Sequence, residues 1–350
     1  MSIGKESLDD IQLVPLMDTL RVQKIDDSEY FSEKYNGYIS NSRLSLINPE
    51  QDNDPEAFFE GLGKHNKYSD ALIFGSAVHE LVLQPELFHL CECVDRPTAK
   101  AGFMADELYN TFTNESFTDT DRRSAIFLAS DKIDYYKGRL DDDKIDTLIS
   151  KCLPYWRARH NYESRELAST PIYLDPKSRE RVKSCVHALE TNKLVQKLLH
   201  PTGLVLDPVS ENEQAILLDV EVRVPNYEPF IFRLKAKLDN YTVDSETNSI
   251  VVNDVKTIGK ILSEFQNNFE KFHYHRELAI YSWLMSLVAR KYYGMDNCTV
   301  ISNCLVVSTI PNFYTKVYTL NRGDFKKGWE EFKILLKLAA HYYSKGYRFS

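Results

Sequence analysis

Several features of membrane, secreted and metal-thiolate proteins are missing from this 350-residue sequence. It has no uninterrupted run of about 18 apolar residues, which excludes a membrane-spanning helix. Its first residues, MSIGKESLDDIQLVP, lack the basic and then apolar order of a signal peptide, so we expect no secretion. Its six cysteines form no C-x-x-C pair, which argues against a zinc or iron–sulfur site. We therefore expect reduced thiols and a cytoplasmic protein without a membrane partner.

An excess of positive charge is also missing. The formal net charge at pH 7 is −8, which argues against a protein that coats nucleic acid through bulk electrostatic attraction. An enzyme with a local basic groove stays compatible with this charge. With 43% hydrophobic and 12% aromatic residues, the chain is expected to be globular and to bury a substantial core.

The pattern along the chain predicts a helix-rich first half and a second half that mixes strands with helices. Residues 1–37 show no sustained period and are interpreted as an N-terminal extension. Residues 38–350 are predicted to form a single α/β domain with a helical elaboration at about residues 100–200. An amphipathic helix is predicted at residues 178–199, and one long helix is predicted at residues 261–293. The predicted strands are residues 203–206, 214–224, 229–239, 298–308 and 312–320.

Residues 234–256 are predicted to form a hairpin, which carries the central candidate site of the chain. Its first strand ends on Asp239, a polar turn spans residues 242–248, and its second strand carries Asp254 and leads into Lys256. We expect the two carboxylates and the ammonium group at one end of a small sheet, where they suit a divalent cation beside a phosphate or a water. The alternative is structural, because aspartate is common in turns and a lysine at a strand end is usually solvated.

Five short motifs follow one another along the chain. They are ISNSRLSLIN (39–48), GSAVHELVLQPE (75–86), LKAKLDNY (234–241), VVNDVKT (251–257) and YHRELAIYSWL (274–284). In this order they resemble the PD-(D/E)XK nuclease superfamily, and within it the double-strand exonucleases of phages and prophages of the exonuclease VIII type. The resemblance implies a restriction-endonuclease-like α/β fold, with a mixed central sheet flanked by helices. Residues 100–200 show no match to it.

The resemblance implies a metal site. Asp239 and Asp254 match the carboxylates that bind the metal and support catalysis, and the carbonyl of Val255 matches a further ligand. His79 matches a helix-borne histidine that binds a second metal or lies beside it. The implied cofactor is Mg²⁺, with Mn²⁺ able to substitute, since both ions suit hard oxygen ligands.

The resemblance also implies catalytic side chains beside the metal. Lys256 matches the lysine that orients the attacking water or helps to deprotonate it, and a nearby metal would lower its pKa. Glu277 and Tyr281 occupy the places of a Gln-x-x-x-Tyr motif, and glutamate replaces the usual glutamine, so Glu277 is either a substrate contact or an additional acid. Glu213 matches the upstream acid that binds metal. Glu211 competes with it, because the strand register is open by two residues.

Each position also has an ordinary structural interpretation. His79 on an apolar helix is by default a core histidine, and Tyr281 at helical spacing is by default a core tyrosine. His273 and His275 are close in sequence and suggest ligands. Surface positions or contacts with a DNA backbone are the favoured interpretation of this histidine pair.

Clusters of cations and aromatic residues are candidates for DNA contacts. The positions singled out are Arg157, Arg159, Lys177, Arg179 and Arg276, and Trp156, His160, Tyr162, Arg165, Arg181 and Lys183 accompany them. Such mixtures suit phosphate contacts and stacking on an unpaired end. Residues 177–183 open a helix, where backbone amides favour a phosphate. Ordinary charged helix faces explain the same pattern equally well.

Together, these residues and the resemblance predict a Mg²⁺-dependent exonuclease that hydrolyses phosphodiester bonds from the ends of duplex DNA. The resemblance further implies a homo-oligomeric ring, a single-strand annealing protein as partner, and a role in phage-type recombination or DNA processing. It implies the bacterial host cytoplasm if a phage encodes the chain. Two alternatives stay open. One is an endonuclease on the same core, and the other is an inactive DNA-binding or interaction protein.

Overall fold

The computed structural model describes residues 8–49, 51, 53–60, 69–112, 119–136, 139–202, 208–310 and 312–349. The chain divides into two compact units. The first combines Met1–His65 with Ala188–Ser350, and the second is Asn66–His187. The single domain expected for residues 38–350 stays a prediction beside this division.

The strands and helices alternate along the chain. The strands are β1 (Gln12–Pro15), β2 (Arg21–Lys24), β3 (Phe88–Leu90), β4 (Thr170–Ile172), β5 (Val209–Arg223), β6 (Phe230–Asp244), β7 (Ser249–Ile258), β8 (Thr299–Ser308) and β9 (Thr315–Thr319). The helices are α1 (Asp27–Tyr30), α2 (Asn41–Leu44), α3 (Pro55–Glu60), α4 (Asp70–Leu83), α5 (Ala99–Thr111), α6 (Asp119–Lys132), α7 (Asp142–Glu163), α8 (Pro176–Thr191), α9 (Lys193–Leu199), α10 (Phe265–Lys271), α11 (Tyr274–Tyr292) and α12 (Arg322–Ser344).

The first unit is built on a mixed sheet. Its strands β5, β6, β7, β8 and β9 lie side by side in that order, and β1 and β2 both pair with the outer edge of β5. Neighbours are antiparallel except β7 and β8, which run parallel. Helix α11 packs against β6, β7 and β8, and α12 packs on α11. This confirms the predicted α/β architecture, a mixed central sheet flanked by helices, with further helices in the N-terminal half.

The segment interpreted as an N-terminal extension contributes to this sheet. Strands β1 and β2 pair with β5 along its outer edge, and Ile11 and Leu20 belong to the main core. The sequence gave no sign of these strands because each has only four residues and covers an edge, where a regular alternation of burial is not required. The described part of residues 1–37 is therefore integral to the first unit.

Two predicted helices are interrupted. Residues 178–199 divide into α8 and α9 at Asn192, whose side chain accepts hydrogen bonds from the N–H groups of Leu194 and Val195 and so begins a new helix. Residues 261–293 divide into a short 3-10 turn, α10 and α11, with His273 in a left-handed conformation at φ 55°. Apolar spacing misses such breaks because it continues across them. The strand predicted at residues 203–206 lies outside the described residues.

The second unit is helical around its own core. Helices α5, α6 and α7 bury Phe103, Met104, Leu108, Ile126 and Leu148 against one another. A short parallel pair, β3 with β4, accompanies them. All six cysteines of the chain are free thiols. Among the described residues of both units, no helix is long and apolar enough to cross a membrane.

Candidate active site

Strands β6 and β7 separate at one point of the sheet. Their ladder ends at the pair Asn240–Asn253, while β6 continues beside β5 and β7 continues beside β8. Asp239 and Asp254 are the next residues, one on each strand. The predicted hairpin is thus confirmed, but it is longer than expected. Its two aspartates flank a fork within the sheet instead of lying at the end of a small one.

A row of buried amide side chains fixes this fork. Asn253 donates from Nδ2 to Oδ1 of Asn240 at 2.8 Å and to the carbonyl of Leu198 at 3.1 Å. Asn303 donates to Oδ1 of Asn253 at 3.0 Å, and Thr319 donates to Oδ1 of Asn303 at 2.7 Å. These side chains lie on directly paired positions of β6, β7, β8 and β9. A slip in register would break the whole row, so the row holds the strands that carry the aspartates.

The face that β6 buries changes next to Asp239. Its core side chains are even-numbered as far as Leu238 and odd-numbered from Tyr241 onwards. A regular strand would hold Asp239 on the face of Lys235 and Lys237. The change of face brings it to β7 instead, where the N–H of Val255 donates to its Oδ2 at 2.7 Å.

Glu213 lies opposite Asp239 on β5. The ladder pairs Asn212 with Asn240 and Gln214 with Leu238, and Glu213 between them has a positive φ of 55°. One carboxylate oxygen of Glu213 lies within 4.8 Å of one of Asp239. Glu211, by contrast, is exposed and pairs with Tyr241. The register therefore places Glu213, and not Glu211, beside Asp239. The role of Glu213 as the metal-binding acid stays a prediction.

The ammonium group of Lys256 lies among carboxylates. Its Nζ is 2.8 Å from Oδ2 and 3.0 Å from Oδ1 of Asp254, and 3.3 Å from Oε2 of Glu277. The ring of Tyr274 lies under it, with its centroid 4.8 Å from Nζ. Asp254 is only 2% exposed. Lys256 is thus an ion-paired, enclosed cation rather than the solvated strand-end lysine of the alternative interpretation.

Burial and charge shift the pKa values of these groups. Burial raises the pKa of Asp239 to about 7 and that of Asp254 to about 8, against the opposing effect of Lys256, and neighbouring carboxylates raise both further. Burial alone would lower the pKa of Lys256, but Asp254, Glu277 and Asp239 hold it well above its ordinary value. Lys256 therefore keeps its proton among these carboxylates. The lowered pKa expected for it beside a metal stays a prediction.

Helix α11 brings a tyrosine pair to the same place. The hydroxyl of Tyr281 lies 3.2 Å from Oε1 of Glu277 and 3.3 Å from the carbonyl of Lys237, as donor to either. Tyr274 was missed by the sequence analysis. Its spacing from Glu277 and Tyr281, three and seven residues, puts all three on one helix face and was the signal available.

Two lysines of β6 were seen in the sequence but given no role. Lys237 pairs with Glu213 at 2.7 Å and also contacts Asp27. Lys235 is 9% exposed, donates to the carbonyl of Tyr30 at 2.9 Å, and has the ring of Tyr30 4.5 Å from its Nζ. Burial, with a smaller contribution from Arg43, lowers the pKa of Lys235 to about 8. Alternation along β6 predicts that both lysines share a face, but nothing in the sequence points to Asp27.

His79 and Val255 complete the expected metal ligands. His79 lies, partly buried, on α4 of the second unit, where the sequence predicted a helix. Val255 is buried on β7, and its N–H contacts Asp239. The ligand roles of His79 and of the Val255 carbonyl stay predictions.

Two of the five expected DNA-contacting cations, Arg276 and Arg179, are buried inside the protein and paired there. Arg276 is fully buried and bonds Asn41, Ser45 and Glu331. Arg179 is 7% exposed and donates to the carbonyl of Cys91 at 2.7 Å and to Asp95 at 2.8 Å. These contacts hold the fold and do not fit phosphate binding.

The remaining three cations lie in the second unit. Arg159 lies 4.0 Å from the ring centroid of Tyr109 and pairs with Glu163 at 2.8 Å, so it too is occupied. Arg157 and Lys177 are exposed and stay candidates for contacts with DNA. The spacing of charged residues in the sequence does not distinguish a buried, ion-paired arginine from an exposed one, because both occur in the same pattern.

Comparison with known proteins does not assign this chain to a family or an activity. No family model and no curated protein matches the chain. Among solved structures, a candidate exonuclease from Eubacterium rectale is similar, with 12% identity, a TM-score of 0.31, and coverage of 61% of this chain and 73% of that chain. A likeness of this size assigns neither a family nor an activity, so the function rests on the geometry of the fork.

Proposed function

We propose that the fork between β6 and β7 is the active site of a Mg²⁺-dependent DNA nuclease, in particular an exonuclease of the PD-(D/E)XK type. The observation that carries the proposal is the meeting of Asp239, Asp254, Glu213 and Lys256 where the two strands separate. Carboxylates with raised pKa values beside a partly buried cation are costly to assemble for stability alone and are typical of functional sites.

The donor set fits a hard divalent cation. Glu213 and Asp239 offer carboxylate oxygens within 4.8 Å of each other, and Mg²⁺ prefers a few such oxygens while it keeps several waters. When bound, the ion supplies charge neutralisation on the phosphate and a hydroxide near neutral pH. Asp254, the carbonyl of Val255 and His79 are the further ligands that the family resemblance implies. Mn²⁺ fits the same donors.

The side chains of the fork have separable roles. The N–H of Val255 fixes the orientation of the Asp239 carboxylate. Lys256 holds a proton and donates to a water or a phosphate oxygen, since its carboxylate partners favour the ammonium form. Tyr281 orients Glu277, which in turn limits the movement of Lys256.

The finer parts of the proposal come from the resemblance. They are a preference for duplex ends, a homo-oligomeric ring, a single-strand annealing protein as partner, and work in phage-type recombination. Arg157 and Lys177 are the exposed cations proposed to contact DNA phosphates.

The test is digestion of an end-labelled linear duplex and of a covalently closed circle, with Mg²⁺ and with EDTA. Wild type, Asp254→Asn and the control Asp296→Asn, which changes an exposed carboxylate of the same unit, are compared. We expect Mg²⁺-dependent loss of the linear duplex alone, retained by Asp296→Asn and abolished in Asp254→Asn.

Other outcomes select other functions. Cleavage of the circle that depends on Asp254 would assign an endonuclease on the same fork. No cleavage of either substrate in Mg²⁺ or Mn²⁺ would overturn the catalytic proposal. DNA binding that persists in EDTA would then assign a non-catalytic binding protein.

A further inference from the structure

The start of α11 places two histidines around one glutamate of α12. His273 Nδ1 lies 2.6 Å from Oε1 of Glu331, and His275 Nε2 lies 2.9 Å from its Oε2. His275 is only 1% exposed. The favoured interpretation of the sequence, surface positions or DNA-backbone contacts, is therefore wrong for His275, which lies inside the protein.

The direction of the histidine nitrogens is the informative feature. Nδ1 of His273 and Nε2 of His275 are buried and lie 2.6 and 2.9 Å from the carboxylate oxygens, but their N–H directions depart from good hydrogen-bond geometry. Nδ1 of His275 also lacks a hydrogen-bond partner among the described residues. Buried polar atoms without partners are costly and call for an explanation. Nitrogens that ligate an ion together with an oxygen point at the ion and not at the oxygen, so this misdirection fits a shared ion. Bonds of about 2.0–2.1 Å to a tetrahedral ion would separate the ligand atoms by roughly 3.3 Å, so binding would move these atoms apart by a few tenths of an ångström.

We propose that His273, His275 and Glu331 form a Zn²⁺-binding site distinct from the fork. One ligand atom from each residue lies within 4.8 Å of the other two. Two imidazoles and one carboxylate form a donor set that binds Zn²⁺ and leaves a fourth position for water. The same donors suit Co²⁺ and Ni²⁺, whereas Mg²⁺ prefers an all-oxygen set.

The neighbouring backbone supports this geometry. A Cβ on Gly328 would lie 2.2 Å from the carbonyl oxygen of His275, so glycine lets α12 approach the start of α11. Glu331 follows Gly328 by three residues, which places it about one turn further along. His273 itself has the left-handed φ of 55°, which turns the chain before α11.

Arg276 completes the surroundings of the site. Its Nη1 donates to Oε1 of Glu331 at 2.7 Å, and it is fully buried. An outer partner of this kind fixes the orientation of a ligating carboxylate. The ion would join the start of α11 to α12. We therefore expect it to stabilise this helix pair, and its ligand His275 precedes Glu277 of the fork by two residues.

The test measures zinc binding and not hydrolysis, so its outcome is independent of the proposed nuclease. The tag-free, metal-depleted 350-residue chain is titrated with Zn²⁺ by calorimetry, with Mg²⁺ in large excess to occupy the fork. His273→Asn removes one ligand and keeps the left-handed backbone, which asparagine tolerates. His200→Asn is the matched control, since His200 is an exposed histidine of the same unit.

The expected result is about one equivalent of Zn²⁺ bound by wild type, His200→Asn and Asp254→Asn, with at least ~10-fold weaker binding by His273→Asn. Zinc should raise the unfolding temperature of wild type more than that of His273→Asn. A second variant, Glu331→Gln, should change the visible spectrum of the Co²⁺-loaded protein. Absence of binding by wild type, equal affinity of His273→Asn, or loss of zinc in Asp254→Asn alone would overturn the proposal.

Discussion

The N–H of Val255 on β7 donates a 2.7 Å hydrogen bond to the carboxylate of Asp239 on β6. This bond crosses the gap where the two strands have stopped pairing with each other. It uses a donor that the ladder leaves unpaired on that side, and it fixes a carboxylate that would otherwise follow the opposite face of β6. The end of the β6–β7 ladder therefore separates the two strands and also leaves the N–H of Val255 available to orient Asp239.

The choice between Glu213 and Glu211 as the metal-binding acid is testable with one glutamine variant of each. We expect Glu213→Gln to lower the rate of Mg²⁺-dependent DNA hydrolysis about 100-fold or more, because it removes a carboxylate from the metal donor set. Glu211→Gln, two residues away on the same strand and exposed, should leave the rate unchanged. Rates at saturating Mg²⁺ on linear duplex DNA are the measurement. Equal losses in both variants would refute the assignment.

Removal of the partly buried ammonium group of Lys256 should destabilise the fold in a pH-dependent way. In Lys256→Met, Asp254 and Glu277 lose their shared cation. A carboxyl with a raised folded pKa, about 8 for Asp254 against 3.8 ordinarily, keeps its proton in the folded chain while the unfolded chain releases it, so stability falls as pH rises across that window. Loss of Lys256 raises the folded pKa further and enlarges the fall.

The free energy of unfolding in urea at pH 5 and pH 8 measures this effect. The destabilisation by Lys256→Met should be larger at pH 8 than at pH 5. Lys260→Met, which changes an exposed lysine, is the control and should show little change at either pH. A destabilisation that is the same at both pH values would contradict the charge network described for the fork.

Lys235 should make the stability depend on pH in the opposite direction, because a cation titrates there and not a carboxyl group. Its folded pKa of about 8 lies below the ordinary 10.5, so between these values the unfolded chain binds more protons and stability rises with pH. Lys235→Met abolishes this rise. The stability of the variant relative to wild type should therefore be greatest near pH 7 and should decline towards pH 10.5, as measured by urea unfolding. The exposed Lys24→Met should show no such trend.

The row of amides should behave as one unit. Asn253→Ala removes the donor to Asn240 and Leu198 and the acceptor for Asn303. Because these groups are then buried without partners, we expect a loss of about 2–4 kcal/mol in the free energy of unfolding. Asn267→Ala, on the exposed side of α10, should change it by less than ~0.5 kcal/mol. A small effect of Asn253→Ala would show that other contacts hold the register.

The sequence by itself was sufficient for the local parts of the site. Alternation of apolar residues and a polar turn predicted the hairpin, and with it the proximity of Asp239, Asp254 and Lys256, because these residues lie on two strands that are neighbours in the chain. The resemblance singled out Glu277 and Tyr281 together, and their spacing of four residues puts them on one face of α11. The α/β class followed from the same patterns, since periods of 2 and 3.6 residues reflect backbone geometry alone.

Tertiary structure decided what depends on residues far apart in the chain. Register against β6 places Glu213, and not Glu211, beside Asp239, and contact with Asn41 and Glu331 buries Arg276, which the sequence offered as a DNA contact. The conformation of His273 ends a continuous apolar pattern and starts α11 beside Glu331. Sequence spacing reports which face of an element is apolar, but the partner that each charge meets is set by packing between elements, and only the folded chain determines that.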